Sequence, residues 1–169
     1  MSDIRKADIS MAGDLGYLQA KAWQAAYTGI VPDEVLKEYT PENRAAVFKK
    51  NMPEKPEEYY VLYIDDKPAG FLILGTSRDK DVKPGTGEID ALYLLSEYWD
   101  KGFGTRLMQF AISRLRELNY NDITLWVFEK NTRAIRFYER QGFSFDSATM
   151  VLTLGKPLTG IRYKLCGDV

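Results

Sequence analysis

Two glycines one residue apart, Gly102 and Gly104, lie between an apolar segment and an amphipathic run, an order that favours phosphate binding. The apolar segment at 88–95 predicts a buried strand. The run after the glycines places Leu107, Phe110, Ala111, Leu115 and Leu118 at helical spacing. The first N–H groups of a helix lack internal partners and lie at the positive end of its dipole. Because glycine lets an anion approach the main chain, this stretch predicts an anion site.

Two common phosphate-binding motifs do not fit this stretch. A P-loop requires Gly-x-x-x-x-Gly-Lys-Ser/Thr, and the sequence contains no such run. The dinucleotide fingerprint requires a third glycine, which falls at position 107 in this frame, where the chain has Leu107.

A second motif runs from Asn131 to Phe143. Asn131 is suited to capping a short helix, and Gly142 is suited to ending it. Between them, Ala134, Phe137 and Tyr138 form one stripe. By itself this pattern indicates a capped amphipathic helix.

Together, the two motifs resemble those of the GNAT acyltransferase family. Residues 99–104, Trp-Asp-Lys-Gly-Phe-Gly, match the family's Gln/Arg-x-x-Gly-x-Gly/Ala motif at both glycines, and the Asn–Ala–Phe–Tyr–Gly–Phe pattern follows after the next strand. The resemblance covers about residues 58–145. Trp99 stands where the family has Gln or Arg, and Asp100 places a negative charge near the expected phosphates, with Lys101 beside it as compensation.

The resemblance implies acetyl-CoA as the cosubstrate. In the family, the strand before the glycine motif and the strand after its helix splay apart, and the pantetheine arm pairs with the free main chain of the first. In this chain the corresponding predicted strands are 88–95 and 123–128. The pyrophosphate lies on the N–H groups of 101–105. The cofactor-binding residues implied are Leu92, Tyr93, Leu94, Asp100, Lys101, Gly102, Phe103, Gly104, Thr105, Asn131 and Tyr138.

Acetyl transfer to an amine requires two proton transfers. An alkylamine with a pKa of about 10.4 must lose a proton to attack, and a thiolate with a pKa near 8.5 must leave. Tyr138 matches the family tyrosine near the cofactor sulfur and is the predicted general acid. Glu88 and Asp90, which share a strand face, are the predicted carboxylates for the amine proton.

Trp23 and Tyr27 are four residues apart and therefore share one face of a predicted helix. They predict an aromatic wall that binds the amine by cation–π contact. The alternative is that both belong to the core.

Composition excludes several other classes of function. A net charge of −1 with scattered basic residues gives no support to nucleic-acid or membrane binding. Without histidine, a Ser–His–Asp or Cys–His device is impossible, and no metal site is expected. The single cysteine, Cys166, cannot form an internal disulfide and is interpreted as a strand residue. No signal peptide is recognised at the start of the chain, so a cytoplasmic location is expected.

The 169 residues predict one domain, 1–169, with an α+β fold. Its expected sheet has about six or seven mostly antiparallel strands, a splayed central pair, and helices on both faces. The last strands are predicted at 143–145, 150–154 and 161–165.

Three functions fit this sequence. The first is an N-acetyltransferase in which the primary amine of a small molecule attacks acetyl-CoA directly in a ternary complex. The second is a protein acetyltransferase acting on a lysine or an N-terminal amine. The third is a non-catalytic acyl-CoA binding module. A homodimer is expected only from the resemblance.

Overall fold

A seven-stranded sheet crosses the computed structural model, which describes residues 1–167. Its strands are β1 (Ser2–Lys6), β2 (Glu58–Ile64), β3 (Lys67–Thr76), β4 (Gly87–Leu94), β5 (Ile123–Phe128), β6 (Ser144–Thr153) and β7 (Pro157–Leu165). Their spatial order is β1-β2-β3-β4-β5-β7-β6. Every neighbouring pair is antiparallel except β4 and β5, which are parallel. The predicted α+β fold with a largely antiparallel sheet is confirmed.

The α-helices differ in how they begin, and only some of them start at a side-chain cap or a proline. They are α1 (Ala12–Tyr27), α2 (Asp33–Lys37), α3 (Pro41–Asn51), α4 (Phe103–Glu117) and α5 (Thr132–Arg140). The hydroxyl of Thr40 accepts a hydrogen bond from the Asn43 N–H at 3.2 Å, and Pro41 is the first residue of α3. A short 3₁₀ turn, Ile9–Met11, is capped by Asp8 and leads into α1.

The two faces of the sheet carry different helices. On one face, buried residues of α4 such as Leu107 and Leu115 pack against Leu74 and Ile123. On the other face, α1 and α3 pack against β2 and β3, with Phe48 of α3 at a ring-centre distance of 6.0 Å from Phe71. Helices therefore cover both faces, as the sequence predicts.

The C-terminal strands differ from the prediction. The segments expected at 143–145 and 150–154 form the single strand β6, which is paired along its length with β7. The pairing is irregular between Phe145 and Thr149, where Ser147 has φ +74°. The polar residues in this stretch therefore form a bulge within one strand instead of a turn between two strands.

No helix within residues 1–167 is both long enough and apolar enough to cross a membrane.

Candidate active site

The site is centred on a gap between β4 and β5. These strands are paired at only three positions, the last joining Ile89 to Leu125. In the described chain no further pair joins them, although β4 continues to Leu94 and β5 to Phe128. A cavity of about 530 Å³ fills the resulting gap. The splayed central pair is therefore present.

A β-bulge at Asp90 accounts for the separation. The register between β3 and β4 changes from Ile73–Ala91 to Leu74–Ile89, which leaves Asp90 without a partner in β3. A bulge increases the local twist and bends the strand that carries it. β4 therefore turns away from β5 directly after the last residue that joins them.

The main chain of β4 is open to the gap at two of the three predicted residues. The Leu95 N–H donates to the Ala69 carbonyl at 2.9 Å, so Leu95 and every second residue before it bond to β3. This alternation assigns the polar groups of Tyr93 to β3. It directs the polar groups of Leu92 and the N–H of Leu94 toward the gap, where an extended ligand would replace the missing strand, whereas the Leu94 carbonyl accepts the Trp99 indole N–H.

The glycine turn follows the far end of β4. Gly102 has φ +83° and directly precedes α4, a left-handed conformation that glycine adopts without strain. The first bond within the helix runs from the Arg106 N–H to the Gly102 carbonyl at 3.1 Å. The N–H groups of 103–105 therefore have no partner in the helix, and Gly102, Gly104 and Thr105 line the cavity.

Trp99 and Asp100, which depart from the family's pattern, are both in contact with Arg133 of α5. The Arg133 guanidinium lies 4.3 Å from the centre of the Trp99 ring and 2.6 Å from an Asp100 carboxylate oxygen. The Trp99 indole N–H donates to the Leu94 carbonyl at 2.9 Å. Arg133 forms an ion pair with Asp100, whereas Lys101, the predicted compensating residue, forms none with it within residues 1–167. Lys101 is exposed and lies outside the cavity lining.

Three arginines of α5, Arg133, Arg136 and Arg140, line the same cavity and were not predicted. Their spacing of three and four residues places them on one face of the helix and is visible in the sequence. Asn131, which also lines the cavity, caps α5 by accepting the Ala134 N–H at 3.3 Å. One end of the cavity is therefore positively charged.

Tyr138 of α5 lies in the cavity wall. Its ring is 5.6 Å from that of Phe137 and 6.3 Å from that of Phe143, which fixes its orientation. Within residues 1–167, its hydroxyl forms no hydrogen bond with the protein. Burial raises the pKa of Tyr138 well above its usual value, and the nearby Tyr93 adds to this shift. The phenol is therefore a neutral proton donor at physiological pH.

The two predicted carboxylates are in different environments. Glu88 is 3% exposed, lies outside the cavity lining, and accepts from the Arg78 main-chain N–H at 3.0 Å. It also accepts from the Arg78 guanidinium at 2.8 and 3.2 Å. Asp90 contacts the same guanidinium but lines the cavity. Burial raises the pKa of the Asp90 carboxyl.

Of the two predicted aromatic residues, Tyr27 lines the cavity and Trp23 packs against Tyr27 outside the lining. Tyr27 lines the cavity, and its hydroxyl is 2.8 Å from that of Tyr93. Trp23 lies outside the lining, with its ring 4.8 Å from Tyr27 and stacked at 3.9 Å on Tyr39. Its buried indole N–H has no hydrogen-bond partner in the described part of the chain. Phe128 contacts the Tyr27 ring edge-on at 5.1 Å.

Comparison with known families identifies this architecture. The family profile described as the acetyltransferase (GNAT) family matches residues 20–143. The chain belongs to the GNAT family. This confirms the family predicted from the two motifs and the predicted class of enzyme, an acetyltransferase.

Several curated GNAT proteins are similar in sequence. The spermine/spermidine N(1)-acetyltransferase of Bacillus subtilis (strain 168) is 30% identical over 133 residues, covering 66% of this chain and 88% of that protein. The peptidyl-lysine N-acetyltransferase YjaB of Salmonella typhimurium is 33% identical over 108 residues, which cover 63% of this chain and 62% of that protein.

Solved GNAT structures share the fold. The PaiA N-acetyltransferase of Thermoplasma acidophilum, solved in complex with coenzyme A, has a TM-score of 0.74 at 20% identity and covers 98% of this chain and 99% of that one. The putative acetyltransferase yncA of Salmonella typhimurium, solved with acetyl-CoA, has a TM-score of 0.73 at 19% identity, with coverage of 100% and 95%. Acetyl-CoA is the acetyl donor of the family.

The predicted site residues of this GNAT enzyme fall into two groups. Most line the gap or bound it with main chain. Glu88, Lys101 and Trp23 lie outside the cavity lining. Phe103 also lies outside it and packs against Tyr98 at a ring-centre distance of 5.9 Å.

Proposed function

We propose that this GNAT enzyme transfers the acetyl group of acetyl-CoA to the primary amine of a small cationic molecule, by direct attack within a ternary complex. The observation that carries the proposal is the pairing of two unlike ends in one cavity. An anion-binding turn at Gly102 bounds one end, and the Asp90 carboxylate lies where the strands part. Asp90 and Leu94 are four positions apart along the strand, a span of roughly 13 Å.

The cofactor half of the proposal rests on main chain and arginine. The groups of Leu92 and Leu94 that face the gap suit the amides of a pantetheine arm, and the free N–H groups of 103–105 suit a pyrophosphate. Arg136 and Arg140 add positive charge beside that turn. The proposed donor therefore lies along β4 with its thioester toward Tyr138 and Asp90.

The proposed proton transfers use one carboxylate and one phenol. Asp90 accepts a proton from the acceptor's ammonium group, and the neutral nitrogen attacks the thioester carbonyl carbon. The new C–N bond forms, the C–S bond breaks, and the departing thiolate takes a proton from the Tyr138 hydroxyl. The second proton of the attacking nitrogen leaves as the amide forms and returns through solvent to the Tyr138 phenolate. The raised pKa of Asp90 makes it a stronger base than a solvated carboxylate, which suits this role.

The preference for a small cationic acceptor rests on the charge and walls of the acceptor end. Asp90 and Glu88 share a single arginine, Arg78, which leaves one net negative charge there. Tyr27 adds an aromatic wall that suits an ammonium or alkyl chain. The B. subtilis relative, named for acetylating spermine and spermidine, supports the same class of acceptor.

A peptidyl lysine is the second candidate acceptor, favoured by the similarity to the peptidyl-lysine acetyltransferase of Salmonella. A lysine side chain presents the same primary ammonium, so both candidates use the same chemistry at Asp90. A homodimer and a cytoplasmic location stay predictions.

The test has two steps. A calorimetric titration with acetyl-CoA is expected to show one site per chain at micromolar affinity. Thiol release is then measured with spermidine and, separately, with a lysine-containing peptide at equal amine concentration. A kcat/KM higher for spermidine by 10-fold or more supports the small-molecule acceptor, and the reverse ratio favours the peptide. Tight binding without turnover on any amine would instead identify a binding module.

A further inference from the structure

The loop between β3 and β4 spans the strands that part. Arg78 attaches it to β4 through Glu88 and Asp90. The next residue, Asp79, attaches it to β5 by accepting the Trp126 indole N–H at 3.0 Å. These contacts lie at the acceptor end of the gap, where Asp90 and Trp126 line the cavity.

Arg78 bridges two carboxylates of different accessibility. One guanidinium nitrogen contacts both Glu88 and Asp90. The Glu88 side chain is 4% exposed, that of Asp90 29%, and that of Arg78 56%. The buried Glu88 therefore holds the Arg78 guanidinium from the protein interior, and the guanidinium contacts Asp90 from the solvent side. The main-chain N–H of Arg78 also donates to Glu88, which ties the loop itself to this anchor.

We propose that Arg78 is a positioning residue of the acceptor site. It holds the Asp90 carboxylate at the cavity, and its positive charge, offset by the negative charge of Glu88, determines the electrostatic environment in which Asp90 accepts a proton. This inference rests on the proposed function, because it assumes that Asp90 receives the amine proton. It assigns Glu88 to the support of Arg78 instead of to proton transfer.

Charged groups from several segments act on Asp90. Burial is the largest influence and raises the pKa of Asp90. Arg78 opposes this shift, whereas Glu88 of β4 and Glu57, just before β2, reinforce it. Lys55 of the preceding connector lowers the pKa. Two phenols, Tyr59 of β2 and Tyr93 of β4, also lie within electrostatic range of Asp90.

These signs predict opposite shifts for the two partners. Arg78→Gln removes a positive charge, so the pKa of Asp90 rises. Glu88→Gln removes a negative charge, so the same pKa falls. In the double variant Arg78→Gln/Glu88→Gln the two effects largely cancel. A residue with only a structural role would lower activity in these variants without moving the pH dependence in opposite directions.

The experiment is the pH profile of kcat/KM for spermidine in the wild type and the three variants. The acidic limb of each profile reports the pKa of the base in the free enzyme. The pKa of spermidine affects all four profiles equally. The limb is expected to move up by roughly 1 pH unit in Arg78→Gln, down in Glu88→Gln, and to lie between them in the double variant. Limbs that coincide, or that move in the same direction, would overturn the inference.

Folding is controlled by the choice of variants. Arg78→Gln leaves Glu88 buried without its cation, which threatens stability, whereas the double variant removes both charges. Arg78→Lys keeps the charge and is expected to keep the limb within about 0.5 pH unit of the wild type. Asp81→Asn, which loses a 2.7 Å contact between the same loop and Arg162, is the control that keeps the wild-type limb.

A second readout separates this inference from the proposed function. The Asp90 carboxyl carbon is titrated by ¹³C NMR in the free protein, where no acceptor is needed. Suppose that the pKa of Asp90 shifts in opposite directions in the two single variants but that no amine is turned over. That result would overturn the proposed function and, with it, any role of Arg78 in catalysis. Turnover on spermidine with an Asp90 titration that is identical in all variants would overturn only the inference about Arg78.

Discussion

The two ends of the cavity differ in the groups that line them, which are mostly main-chain groups at one end and side chains at the other. At the proposed cofactor end, main-chain groups predominate: those of Leu92 and the Leu94 N–H that face the gap and the free N–H groups at the start of α4, with positive charge added by the α5 arginines. At the acceptor end, side chains predominate. Asp90, Arg78 and Tyr27 come from a strand, a loop and a helix that are distant in the sequence.

This difference determines how each end constrains the sequence. A main-chain site requires particular residues only where a side chain would obstruct the ligand or strain the backbone, as at Gly102 with φ +83°. A side-chain site allows more solutions, because a cation that pairs with a carboxylate can come from any segment that folds beside it. Substitutions at the cofactor end should therefore change acetyl-CoA affinity, and those at the acceptor end should change turnover.

The largest effect is expected at Tyr138, which belongs to the second sequence motif and whose side chain is the proposed proton donor. Tyr138→Phe should lower kcat by roughly 10²- to 10⁴-fold, because the thiolate loses its proton donor. Acetyl-CoA affinity, measured by calorimetry, should stay within about 2-fold of the wild type. Tyr60→Phe, which removes a hydroxyl outside the cavity, is the matched control. Unchanged turnover in Tyr138→Phe would remove this phenol from the mechanism.

The next largest effect is expected at Gly104. A Cβ at this position would lie 3.5 Å from the Phe137 ring, an ordinary contact, so Gly104→Ala should fold with a melting temperature no lower than that of the wild type. The added methyl group would crowd the anion that is proposed to bind at the start of α4. We expect about 10-fold weaker acetyl-CoA binding for Ala and about 100-fold for Val. Wild-type affinity in both variants would show that the phosphates bind elsewhere.

The residues predicted correctly from the sequence are those with a local conformational signature. Asn131 was predicted as a helix cap, and it caps α5, because few residue types fit that position. Gly102 was predicted because glycine lets an anion approach the main chain, and its left-handed φ is a further, local reason for glycine there. Strand β5 was predicted with its observed bounds because its apolar run is buried on both faces. Such features are encoded within a few neighbouring residues.

The residues that sequence reasoning missed depend on contacts between distant segments. Arg78 lies in a polar loop without periodicity, and only the folded chain brings it to Glu88 and Asp90. Charge compensation at Asp100 was assigned to its neighbour Lys101, but the ion pair with Asp100 is formed by Arg133 across the cavity mouth. The spacing of the α5 arginines was visible in the sequence, but it gave no indication of which surface they face.

A smaller effect is expected from the α5 arginines, whose proposed interaction with phosphate is electrostatic. Arg136→Gln should weaken acetyl-CoA binding by about 5- to 10-fold at low salt, because one positive charge is lost from the cofactor end. The difference from the wild type should shrink in 0.5 M salt, because screening weakens the interaction in the wild type as well. Arg116→Gln, which removes the same charge from the last turn of α4, should bind normally. A loss that is independent of salt would point to packing instead of charge.

The smallest effect is an increase in acetyl-CoA affinity, and it concerns Asp100, the acidic residue of the glycine motif at 99–104. Asp100→Asn removes the negative charge nearest the proposed phosphates, so acetyl-CoA should bind about 2- to 5-fold more tightly. Asparagine tolerates the φ of +57° at this position, and Arg133 keeps its place over the Trp99 ring. Because an acidic residue before a helix also stabilises its start, the free protein should lose a few tenths of a kcal/mol.

These two opposite changes separate the charge of Asp100 from its role as a partner of Arg133. The affinity is measured by calorimetry and the stability by urea unfolding of the free protein. Arg133→Gln is the complementary variant, and it should weaken acetyl-CoA binding by leaving Asp100 uncompensated. If Asp100→Asn instead bound more weakly than the wild type, the aspartate would serve chiefly to orient Arg133 toward the ligand. The acidic residue would then belong to the cofactor end as a side-chain contact, and the division between a main-chain end and a side-chain end would not hold at the mouth of the cavity.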